Sequence, residues 1–156
     1  MNLLTLFQWL SHSSLGLYMQ KSVWTFAIVE TVHLVALASL GGSVLTIELT
    51  TLGLIRKTPA REIASGLRPI VLTSLAVMVA TGILMLSDEA LKCYYSPAFR
   101  AKMLALGIAV LIFFPLRAIQ IRTTRDHSPW WLKTGAALSL LSWLSVGLAG
   151  RAIGFL

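Results

Sequence analysis

The sequence predicts an all-α protein, a four-transmembrane-helix bundle preceded by a short N-terminal amphipathic interfacial helix. Three observations carry that expectation. Of 156 residues, 56% are hydrophobic and only 12% charged, with a mean hydropathy of +0.80; a soluble domain carries about 45–50% apolar and about 25% charged residues. Four separate stretches reach the roughly 20 apolar residues needed to cross a hydrocarbon core of about 30 Å. Almost all the charges lie between or at the ends of those stretches. A disordered tail, a fibrous repeat and an ordinary cytosolic enzyme are thereby excluded. The excess of 13 Lys+Arg over 6 Asp+Glu is explained by membrane topology, and no nucleic-acid partner is expected of such short basic loops.

The chain reads as one integral membrane domain, residues 1–156, without internal repeats. At its start, Leu3, Leu6, Phe7 and Leu10 fall at helical spacing and Trp9 suits an interface. The expectation is a surface helix over about 3–12 rather than a cleaved leader, for which a basic n-region and a small-residue cleavage site are missing. The spans are expected at about 23–54, 69–86, 99–121 and 130–155. The first is long enough to tilt or project beyond the lipid. Pro69, Pro97 and Pro129 are read as helix starts, where a missing N–H costs nothing, whereas Pro115 falls inside the third span and should kink it.

Loop charge sets the expected orientation. The first loop holds Arg56, Lys57 and Arg61, with Arg68 beyond, and the third holds Arg122 and Arg125, flanked by Arg117 and Lys133. The middle loop sets Asp88 and Glu89 against Lys92. The positive-inside rule then places the first and third loops in the cytoplasm and both termini outside. Trp9, Trp24, Trp130 and Trp131 mark the boundaries; Trp143 falls mid-span, against a ring or plain helices. Cys93 is the sole cysteine, which excludes an intrachain disulfide and leaves an intersubunit bridge or an idle loop thiol.

Ionisable residues within the bilayer are the candidates for function, because each is costly unless paired or facing a cavity. Glu30 and His33 are three apart, on one helix face. At about 1.5 Å per residue from Val23, His33 lies roughly 15 Å deep. Its imidazole could bond Glu30 or a neighbouring Ser/Thr, or serve as a metal or haem ligand or a proton carrier. The face continues through Leu37 to Leu40-Gly-Gly-Ser43, small enough for a backbone or flat ligand to approach. Arg100, Lys102 and Arg151 enter from the outer side and are expected to converge with Glu30 above His33, where surplus positive charge would suit an anionic group such as a haem propionate. Glu48, near the inner end, is expected to pair with Arg68 or Arg117. Met78, Met85 and Met103 are core-type residues that could complete a His/Met iron pair. His12 is a weak candidate ligand and His127 a solvated loop residue.

The blocks Trp24…Glu30-Thr-Val-His33, Gly41-Gly-Ser43, Ser96-Pro-Ala-Phe-Arg-Ala-Lys102 and Gly150-Arg-Ala-Ile-Gly-Phe155 resemble those of a family of small, poorly characterised bacterial four-helix membrane proteins. Such proteins are similar in architecture to four-helix b-type cytochromes and to copper-resistance D-type proteins. The resemblance implies haem b, bound through His33 as metal ligand, with Glu30, Arg100, Lys102 and Arg151 around it. One departure stands out: b-type cytochromes hold haem between two histidines, and only His33 lies at depth here. The haem would be five-coordinate, use another sixth ligand, or be shared across a homodimer.

The function expected is therefore electron transfer by a membrane haem protein, with a quinone or redox protein as partner. Two alternatives remain: a metal- or proton-handling, transporter-like protein using Glu30 and His33, and an assembly subunit without chemistry of its own. Whether the chain is an enzyme stays open. A hydrolase finds no Ser/His/Asp grouping at one depth, no HExxH and no phosphate loop.

Overall fold

The computed structural model describes residues 3–55, 58–88, 90–122 and 129–152, with the backbone alone at Leu3, Leu15, Arg151 and Ala152. Among them the chain forms α1 (Leu3–Ser11), α2 (Ser14–Lys21), α3 (Val23–Leu52), α4 (Ala60–Asp88), α5 (Ala90–Tyr95), α6 (Pro97–Arg122) and α7 (Trp130–Ala152), and no strand. Arg56, Lys57, Glu89, Arg125, Asp126, His127 and the end of the expected fourth span, 153–155, lie outside the described residues.

Helices α3, α4, α6 and α7 are each long and apolar enough to cross a membrane. Their large side chains, among them Ile28, Val35, Leu111 and Leu148, face outward, which suits lipid rather than water. The threonine hydroxyls toward the end of α3 are satisfied inside their own helix. Thr46, Thr50 and Thr51 donate to the carbonyls of Gly42, Thr46 and Ile47 at 2.7–2.8 Å, so none competes for a partner in hydrocarbon.

Local chemistry fixes the ends. The Ser22 hydroxyl caps α3 by accepting from the Thr25 N–H at 3.4 Å. The helix stops at Gly53, whose φ of 85° is left-handed, with the Leu54 N–H returning to the Leu49 carbonyl at 3.0 Å. The second span departs from expectation. It begins at Ala60, and Pro69 lies inside it rather than at its start. Residues 60–68 are amphipathic: Arg61, Glu62 and Ser65 face outward while Ile63, Ala64 and Leu67 join the core. Apolar length marks the lipid-crossing part of a helix, not the whole helix. Likewise α6 runs on through Pro115 to Arg122.

The four long helices associate as two tight pairs, α3 with α4 and α6 with α7. Contacts of α3 with α7 and of α4 with α6 close the bundle, so α3 and α6 occupy one diagonal. The buried core of Leu40, Val44, Ile47, Ala64, Val71 and Phe113 lies toward the α3–α4 connection, here the loop end. At the opposite end α1, α2 and α5 form a platform. Phe7 of α1 meets Tyr94 and Phe99 edge-on, at ring distances of 5.4 and 6.3 Å. The expected helix over about 3–12 is found as α1, and a second helix, α2, follows after residues 12–13, capped by the Ser13 hydroxyl. Gly16 allows α2 to seat: a Cβ there would stand 2.6 Å from the Ser11 carbonyl oxygen and 3.0 Å from that of Ser87. The segment carrying Cys93 is likewise helical, in α5.

Candidate functional site

His33 projects from the middle of α3 toward α4 and is half-buried. Its Nδ1 lies 2.8 Å from the Thr81 hydroxyl oxygen. That hydroxyl also lies 2.7 Å from the Val77 carbonyl; when its proton goes there, its oxygen accepts from Nδ1–H, and Nε2 keeps its lone pair, the form in which histidine binds metals. Gly82 lies beside the ring, where an added Cβ would make ordinary contact with Cε1 at 3.7 Å. Of the two partners the sequence offered, Glu30 or a hydroxyl, the bond goes to a hydroxyl.

The residues expected around His33 are placed differently from one another. Glu30 is exposed but within electrostatic reach of the imidazole, as is Lys102 from α6. Lys102 is half-buried, its Cε and Nζ each 3.6 Å from where a Cβ on Gly150 would stand. Arg100 is exposed and donates to the Tyr94 carbonyl at 3.2 Å, tying it to the platform. The Arg151 side chain lies outside the described residues. Met78 packs against the core, Met85 is half-buried and Met103 is exposed. His12 bonds the Gln8 carbonyl at 2.8 Å at the surface. Gly41 and Gly42 face open space, while Ser43 is buried.

A second polar layer lies deeper in the packing, at the loop end. Glu48 of α3 is fully buried and Arg117 of α6 nearly so, with Nη2 and Oε2 3.2 Å apart. Arg117, not Arg68, is thus the partner of Glu48. The Arg117 Nη1 donates to the Thr51 hydroxyl at 2.7 Å and to the Gln120 Oε1, and the Gln120 amide donates to Thr51 at 3.0 Å. The Arg117 guanidinium also lies over the Phe113 ring at 5.6 Å, and Phe113 meets Trp143 edge-on at 6.2 Å. Beyond the Glu48–Arg117 ion pair, Arg117 Nε and Trp143 Nε1 have no hydrogen-bond partner among the described residues, and the Ser139 hydroxyl lies beside the Glu48 carboxylate. Thr51 and Gln120 went unremarked in the sequence, although each stands three residues beyond a buried charge on the same helix face, a spacing that would have pointed to them.

Apolar helices, buried charge and a half-buried histidine describe an architecture, and comparison adds the lineage. The model described as "Family of unknown function (DUF6644)" matches residues 6–156. The chain belongs to this family. No curated protein and no solved structure matches it. Among the described residues of this DUF6644 protein, no three His, Cys, Asp or Glu side chains come together as a metal-binding group, so a metal held by side chains alone has no cage in them. His33, with Glu30 and Lys102 within electrostatic reach, is the nitrogen donor at this depth among the described residues.

Proposed function

We propose that this protein is a b-type haem protein of the bacterial inner membrane that passes electrons, with His33 as axial ligand. The observation that supports this best is the Thr81–His33 hydrogen bond, which engages Nδ1, leaves Nε2 for iron and holds the ring. Bound there, haem supplies one-electron exchange at iron. The chain's own residues bind and orient it: His33 through Nε2, Thr81 by holding the ring, and Lys102 by setting positive charge beside a propionate. Positive-inside topology puts the Arg61, Arg68 and Arg122 end in the cytoplasm, both termini in the periplasm, and His33 in the outer half. With one deep histidine per chain, a twofold homodimer would bring a second imidazole to a shared haem. A quinone or a redox protein is the electron partner in this reading.

The absorption spectrum of the protein purified in detergent from haem-supplemented cells is the test. A Soret band that H33A abolishes is expected, with circular dichroism and gel filtration unchanged. A wild-type protein without a Soret band, or an H33A variant that keeps it, overturns the reading. A second reading is proton or metal handling through Glu30 and His33, with the Lys102 charge within reach of the imidazole. Copper without porphyrin in the purified protein would favour it. A stable complex with a larger partner, indifferent to H33A, would favour the assembly subunit.

A further inference from the structure

Between α4 and α6, the loosest contact of the bundle, lies a cleft of about 280 Å³ at the loop end. Arg68, Arg117 and Arg122 line it, with no carboxylate among the lining residues, and its walls include Ile47, Val71, Phe113 and Phe114. Arg68 and Arg122 are exposed. Arg117 is buried to 5% exposure, and its Nε has no hydrogen-bond partner. Glu48 balances the Arg117 charge from the bundle side; nothing lining the cleft balances the other two guanidiniums.

We infer that this cleft binds the phosphate of an anionic phospholipid, with the start of the acyl chain against Phe113, Phe114 and Val71. Guanidinium forks match phosphate oxygens in bidentate geometry. The charge lies at the end of the spans, where phosphates lie in a bilayer, and the apolar wall runs inward from it. The volume is at the lower limit of the roughly 300–1,000 Å³ of small-molecule sites, enough for a headgroup and its first methylenes while the chains stay in the membrane. A soluble phosphoryl compound shares the anion but has no use for the apolar wall. This inference does not rest on haem or on His33.

Native mass spectrometry of the intact protein in detergent, titrated with phosphatidylglycerol, phosphatidylcholine or inorganic phosphate, tests it. Phosphatidylglycerol should bind more tightly than phosphatidylcholine, and inorganic phosphate should leave its binding undisturbed. R68A and R122A, both exposed and outside the buried ion pair, should each cut phosphatidylglycerol affinity roughly fivefold with unchanged circular dichroism, and H33A should not alter it. Equal affinity for the two lipids, displacement by inorganic phosphate, or unchanged binding in the R68A/R122A double variant overturns the proposal.

Discussion

The bundle holds two polar layers, and they are built in opposite ways. At the loop end, Glu48 and Arg117 are sealed among Leu40, Val44, Ile47 and Phe113, and the charges face each other. Toward the platform, His33 is half-buried, held by one hydroxyl, with Glu30 exposed and Lys102 at a distance. The first layer sets two opposite charges against each other, the Glu48 carboxylate against the Arg117 guanidinium. The second presents one imidazole held from one side by a hydroxyl. A buried ion pair is the arrangement of a structural joint, and a half-buried ring with a single partner is not.

Breaking the joint should have the largest effect. R117A leaves the Glu48 carboxylate buried without a counter-charge and should cost about 3–5 kcal/mol, whereas the E48L/R117L double variant should come close to wild type. Thermal unfolding in detergent measures both, and a single variant no worse than the double would erase the distinction between the layers. G16A comes next. Its Cβ meets backbone oxygens that cannot swing aside, so α2 must lift from the end of α4 at about 1–3 kcal/mol, and faster proteolysis of the first 21 residues should report it. T81V sharpens the other half of the comparison. It removes the hydroxyl partner of His33 Nδ1, and under the proposed haem reading it should weaken haem retention by about tenfold while stability hardly moves; a haem titration followed at the Soret band checks this. The smallest effect is expected of W143F, which removes an indole N–H that has no partner and should change the melting free energy by less than about 1 kcal/mol.

Much of the fold was legible because hydropathy and caps are local. Val23 and Trp130 marked the starts of two long helices, and the four apolar stretches marked where all four lie. Residues 60–68 were missed because a helix that leaves the lipid keeps its hydrogen bonds but loses its apolar signature, and Pro69 then resembled a start. The breaks at 12–13 and before α5 follow from side-chain caps and platform packing, which hydropathy does not register. His33 was legible as an ionisable group at depth. Its partner was not, since Thr81 is 48 residues away on another helix. Glu48 offered two cations, and only the diagonal placement of α3 and α6 selects Arg117. For Arg100 the depth was readable, but not the Tyr94 carbonyl to which it donates.

The Arg117 side chain has a consequence for how the protein is made. It reaches Glu48 across a diagonal along which the backbones of α3 and α6 stay apart. During synthesis, α3 enters the membrane with a carboxyl group whose partner lies 69 residues further along the chain. A nascent chain holding only α3 and α4 must keep that group protonated, hydrated or still within the insertion machinery. Arrival of α6 is the moment at which the first span becomes a stable resident of the bilayer, so a chain cut before Arg117 should be cleared by membrane proteases.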